Sequence, residues 1–269
     1  MRWGGGSMFE LAFMQRALLA GLLVSLAAGY YGAFIVQRRQ AFLGHGLAHA
    51  AFGGVALGLL LGLPPLAVAL PFTVIVALLI AWVGERSKLG QDTAIGILFS
   101  LALALGIVFL ALKRGYSADA FTYLFGSLLA VDSLDVWFAG ALAALPLLTY
   151  KLWGRLAYAT FDRESALADR MPAARDDYWL AVLVALTVVV AVKIVGALLV
   201  SAFLVIPAAS ARLLSRRFAT MTWLSVLLAA ASVLLGLPLS YAADIPAGAC
   251  IVLVQCAMFG AGMAAGRRG

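Results

Sequence analysis

The sequence predicts an all-α, polytopic membrane protein of about nine transmembrane helices with short re-entrant or surface helices. Three observations carry that expectation. The 269 residues are 65% hydrophobic and only 12% charged, against about 45–50% and about 25% in soluble domains. Mean hydropathy is +1.06, more apolar surface than a water-soluble globule can hide. Finally, apolar runs of spanning length recur between short polar breaks along the whole chain.

The expected spans are 9–36, 41–63, 66–83, 93–112, 134–150, 179–192, 195–214, 221–237 and 246–265. Residues 120–130 form an apolar run too short to cross a bilayer and are expected as a re-entrant or surface helix. Asp132, with Asp135 three residues on, marks a helix start. Residues 1–7, MRWGGGS, are unlike the rest and are expected to be an extension, with a single transmembrane domain over 8–269.

Charge sets the orientation. With the N-terminus outside, the inner connections hold fourteen of the nineteen Lys and Arg residues. Among them are Arg38, Arg39, Arg86, Arg155, Arg163, Arg212, Arg216 and Arg217. The outer side holds three: Arg2, Lys113 and Arg114. That asymmetry follows the positive-inside rule. It also explains the net charge of +7 without nucleic acid, because the basic residues anchor spans and form no basic face. The longest hydrophilic stretch, 151–178, is expected in the cytoplasm and divides the spans into five and four.

No phosphate-binding loop of the form G-x-x-x-x-G-K-[ST] is present, so the chain does not hydrolyse ATP by that route. Neither a G-x-S-x-G elbow nor an H-E-x-x-H motif occurs, and an enzyme reading loses its support. Cys250 and Cys256 lie six residues apart in one apolar run, too far to bridge, and are expected to pack as small apolar residues.

The two histidines are His45 and His49. At i and i+4 they share a helix face about 6 Å apart along the axis. Two imidazoles so placed suit zinc, copper, iron or nickel better than calcium or magnesium, and ionisable residues inside a span mark pathways. Two ligands are half of a usual zinc set, leaving the rest to another helix, a second copy or water. The bland alternative is that both only pack. Lys193 reads as a lysine snorkelling to the outer surface, or else as a positive gate. Asp92 and Asp244 read as helix caps, and Gly53, Gly54, Gly58 and Gly62 as close-packing positions in the second span.

The segments FLGHGLAHA (42–50), DTAIGI (92–97), YLFGSLL (123–129), FDRE (161–164), VGALLV (195–200), IPAASAR (206–212) and PAG (246–248) occur in one order and spacing. On these the chain resembles, over nearly its whole length from Met8, the permease subunits of bacterial zinc and manganese ABC importers, of the ZnuB type. The resemblance implies a multi-pass subunit of the bacterial inner membrane, itself not an enzyme. It also implies a homodimer, two ATPase subunits below it and an extracytoplasmic metal-binding protein above. No cofactor is implied to be permanently bound; the metal is the transported substrate.

The family's metal-handling pair is an Asp and a His four apart. His49 matches the His, and His45 stands where Asp is usual. Imidazole in place of carboxylate favours zinc over manganese. Phe161, Asp162, Arg163 and Glu164 match a Phe-Asp-Pro-Glu-like segment, with Arg for Pro, that begins the region coupled to the ATPase. A short docking helix over 162–171 is expected there, with Ala166 within it. The competing readings are a manganese or iron permease of the same type, a stand-alone proton-coupled metal carrier, and a di-histidine membrane enzyme. Acidic residues at span ends rather than within them argue against the carrier.

Overall fold

The computed structural model describes residues 12–87, 90–113 and 131–266, and these fold into helices with no strand among them. The expected extension 1–7 and the run 120–130 lie outside the described residues. The helices are α1 (Ala12–Gln37), α2 (Ala41–Leu61), α3 (Pro65–Arg86), α4 (Gln91–Leu112), α5 (Ser133–Leu148), α6 (Trp153–Phe161), α7 (Arg163–Ala168), α8 (Ala173–Val195), α9 (Ala197–Leu214), α10 (Phe218–Ala243) and α11 (Ala247–Gly266).

Each of the nine expected spans coincides with one helix. Seven are long and apolar enough to cross a membrane, and α5 with α6 makes an eighth as a pair bent by 41°. The ninth, α9, is an apolar helix of 18 residues. Its start is set by Gly196, the sole residue between α8 and α9, at φ 97° and ψ 149°. Only glycine adopts that backbone readily, so the chain turns there at once.

In α1, α2 and α8, 72% of the apolar stretch is buried, against 17% in α4. Of the seven long helices, α2 is the least apolar and α4 the most. This is the expected division of labour in lipid, where interior helices can carry small and polar residues and outer helices cannot. The interior is closed by glycine. A Cβ on Gly54 would stand 2.6 Å from the Ala69 Cα, and one on Gly53 would stand 2.7 Å from the Ala102 carbonyl oxygen. The second-span glycines therefore do set helix separation, except Gly62, which caps α2 in the left-handed region.

The contacts between helix ends fix the topology. Arg38 after α1, Glu85 near the end of α3, Arg163 at the start of α7 and Asp177 in α8 meet in one cluster, and Gln40 meets Gln91 at the start of α4. At the opposite end Lys193 of α8 pairs with Asp135 of α5. The start of α4 and the start of α5 are thus on opposite sides. Since α4 crosses once, its end at Leu112 and the start of α5 share the outer face. The first four helices keep the orientation that the charge asymmetry assigns.

Candidate metal path and inner coupling region

His45 and His49 lie on successive turns in the inner half of α2, with ring centroids 4.7 Å apart and planes at 75°. Phe99 of α4 walls both, at 5.8 Å from His45 and 5.0 Å from His49. The glycines beside His45 explain how two helices come so close. A Cβ on Gly44 would approach Leu204 of α9 to 3.0 Å, and one on Gly46 would approach Ile95 of α4 to 2.9 Å. His45 opens into a cavity of about 300 Å³ between α2 and α9, lined also by Phe42, Ser201, Ala202 and Val205. His49 lies one turn deeper, and its Nδ1 is buried without a hydrogen-bond partner among the described residues. No group of three or more His, Cys, Asp or Glu side chains able to hold a metal occurs among the described residues. The two imidazoles are brought together as their spacing predicts, and among the described residues no third His, Cys, Asp or Glu joins them.

The expected coupling residues gather at the inner end. Asp162 is the N-cap of α7: it accepts from the Ser165 amide at 2.8 Å and from the Ser165 hydroxyl. Those bonds, the hydroxyl first, hold its carboxyl below the usual carboxylate range. Glu164 sits in the first turn of α7, where an acidic group suits the helix dipole. Ala166 is fully buried against Ala159 and Ala173, which seats α7 on α6 and α8. Arg163 binds Asp177 at 3.0 Å and Glu85 at 3.6 Å, while Phe161 stays exposed with its ring edge-on to Phe218 at 5.3 Å.

Sequence reasoning missed the network that steadies this region. Arg38 pairs with Asp177 and donates to Thr160 at 2.9 Å, Arg155 pairs with Asp176, and Tyr178 donates to Glu85 at 3.0 Å. With Gln91 of α4, Arg38, Glu85, Arg163 and Asp177 line a cavity of about 180 Å³. The signal was present in the acidic pair Asp176-Asp177, which reads as solvated linker until the helix is seen to start at Ala173.

At the outer end the expected helix start holds. Asp132 and Asp135 form a reciprocal capping box at α5, and the Asp135 amide is the first cause that keeps the Asp132 carboxyl low. Lys193 does not simply snorkel, since it is paired with the buried Asp135. Two cap expectations need correction. The N-cap of α4 is Gly90, leaving Asp92 in the first turn, because the helix begins at Gln91. Asp244 ends α10 as its left-handed C-cap rather than starting α11. Cys250 is buried as expected, whereas Cys256 is exposed.

Comparison with known proteins agrees with this architecture. The model of the ABC 3 transport family matches residues 10–266. The chain is 36% identical to the manganese transport system membrane protein MntC of Halalkalibacterium halodurans, over 94% of this chain and 87% of that protein. It is 34% identical to the high-affinity zinc uptake system membrane protein ZnuB of Haemophilus influenzae, over 94% of this chain and 96% of that one. The solved structure of PsaBC from Streptococcus pneumoniae in complex with Fab superposes at a TM-score of 0.83 with 35% identity, over 95% and 92% of the two chains. Zinc and manganese relatives stand at similar identity, and all are transport proteins rather than enzymes. The chain therefore belongs to the ABC 3 transport family, as a multi-pass membrane permease subunit of a metal-ion ABC importer.

Proposed function

We propose that this permease carries zinc into the cytoplasm and that His45 and His49 handle the ion on its way. The observation that carries the reading is the pair of imidazoles set edge-to-face on one side of α2, with His45 at the mouth of the α2–α9 cavity and the buried Nδ1 of His49 without a hydrogen-bond partner among the described residues. Imidazole is a good ligand for zinc and a poorer one for the harder manganese ion. Two donors leave the ion loosely held, as a carrier needs, and water or the matching histidines of a second copy complete the set. A homodimer is accordingly the working unit. ATPase subunits dock beneath it on Phe161, Asp162, Arg163, Glu164 and Ala166, and an extracytoplasmic metal-binding protein delivers from above.

Manganese is the second reading, favoured by the manganese-transport relatives and by the rest of the family pattern. The deciding experiment is uptake by the assembled importer in proteoliposomes, with zinc and manganese in competition. His49→Ala abolishes zinc uptake while the complex still assembles. His45→Asp keeps transport and moves preference toward manganese. Acidification weakens zinc uptake, because imidazolium has no lone pair to give the ion. Unchanged zinc uptake in the His45→Ala, His49→Ala double variant sinks the assignment and leaves the pair as packing residues.

A further inference from the structure

The inner end carries two basic clusters, and only one is balanced. Arg38, Arg155 and Arg163 are paired with Asp177, Asp176 and Glu85. Arg212, Arg216 and Arg217, where α9 gives way to α10, make no ion pair among the described residues. These three arginines line a cavity of about 210 Å³ together with Phe161, Phe218 and Met221. Its floor is rigid: the Phe218 ring stacks on Trp153 at 5.6 Å and meets Phe34 edge-on at 5.0 Å. Helix α10 starts at Phe218 with Arg217 at its N-cap and no side-chain cap. Partial positive charge of the first turn thus adds to that of the arginines.

The two helices that meet at the cavity also carry exposed apolar side chains. Leu213 and Leu214 at the end of α9, and Trp223 and Leu227 one turn apart on α10, are exposed apolar side chains of these two helices. An acidic protein segment would answer the charge but leave Trp223 and Leu227, which lie further into the span, uncovered. A molecule with a phosphate at one end and an acyl chain at the other answers both. Basic pockets between spans on the cytoplasmic side have this use in membrane proteins generally. We infer that the Arg212–Arg216–Arg217 pocket binds the phosphate headgroup of an anionic phospholipid, with an acyl chain lying along Trp223 and Leu227.

The test is native mass spectrometry of the full-length chain in detergent micelles, titrated with phosphatidylglycerol and with phosphatidylcholine. The expected result is a discrete bound phosphatidylglycerol that phosphatidylcholine does not replace. The Arg212→Gln, Arg216→Gln, Arg217→Gln variant loses its affinity by about tenfold or more, whereas the Lys version at all three positions retains most of it. Lys151→Gln, an exposed inner charge outside the pocket, leaves binding unchanged. An equal loss with Lys151→Gln would reduce the effect to general surface charge and overturn the site. Displacement by inorganic phosphate at matched concentration would make it a free-phosphate site rather than a lipid one. Full lipid binding by the Gln variant, together with failure to assemble with the ATPase subunits, would reassign the arginines to a subunit contact.

Discussion

At the residue scale, the Lys193–Asp135 pair shows how a single charge is kept inside a lipid-bound fold. Asp135 is 4% exposed, and its burial is tolerable because Lys193 reaches it from α8 and because it closes the capping box with Asp132. Removing one partner strands the other. Lys193→Met is expected to lower stability by on the order of 3 kcal/mol, and Lys193→Met with Asp135→Asn, whose amide oxygen can still accept from the Asp132 amide, to recover part of it, since the stranded charge is then gone. Unfolding in detergent micelles measures both, and a double variant no more stable than the single one would argue against the pair. The lysine was legible in the sequence as unusual, but its partner was not. Fifty-eight residues separate them, and nothing local in either helix points to the other.

At the element scale, close helix approach and short capped helices do separate work. Gly32 of α1 faces the backbone of α9, where a Cβ would run into the Leu204 carbonyl oxygen. Gly32→Ala must push the two helices apart, at a cost of about 1–3 kcal/mol, read as a lower unfolding temperature of the purified chain. In α7 the Ala166 amide bonds to the Asp162 carbonyl at 3.1 Å. Ala166→Pro removes that bond and breaks the helix, at a local cost of about 3 kcal/mol. If α7 is the docking element, uptake is lost while the permease remains folded; normal uptake moves the docking surface elsewhere. The cap also gives α7 an acid dependence. A carboxyl depressed in the folded state stabilises above its ordinary range and stops doing so as pH falls through the depressed value. Nicking of α7 by pepsin should therefore rise below about pH 4, and Asp162→Asn should flatten that rise.

At the scale of the whole molecule, the fold was legible because lipid makes apolar length a direct readout of helices, and all nine expected segments are helical. Two things escaped. One is the abrupt turn at Gly196, the one residue between α8 and α9, because an apolar run gives no sign of it. The inner ion-pair network joins Arg38, Arg155 and Arg163 to acids far along the chain, and charge counting assigns such residues only to a side of the membrane. The histidine pair was legible from spacing alone, while its Phe99 wall and the cavity beside it needed the packing of α4 and α9. The topology is open to direct test. A cysteine at Arg170 or Ser165 should resist impermeant thiol reagents added to intact cells and react once the membrane is opened, and one at Leu63 should do the reverse. Labelling of the 151–178 connection from outside would invert the molecule.

The uneven burial of the helices bears on how the protein comes to be in the membrane at all. A segment leaving the translocation channel partitions into lipid by its own apolar content. By that criterion α4 enters readily, and α2, glycine-rich and bearing both histidines, enters worst of the long helices. Its packing partners are chiefly α3 and α4, and both emerge from the ribosome after it. Secure insertion of α2 therefore waits on helices not yet made, and the polar pair it carries is drawn into the bilayer by later synthesis rather than by its own solubility in lipid.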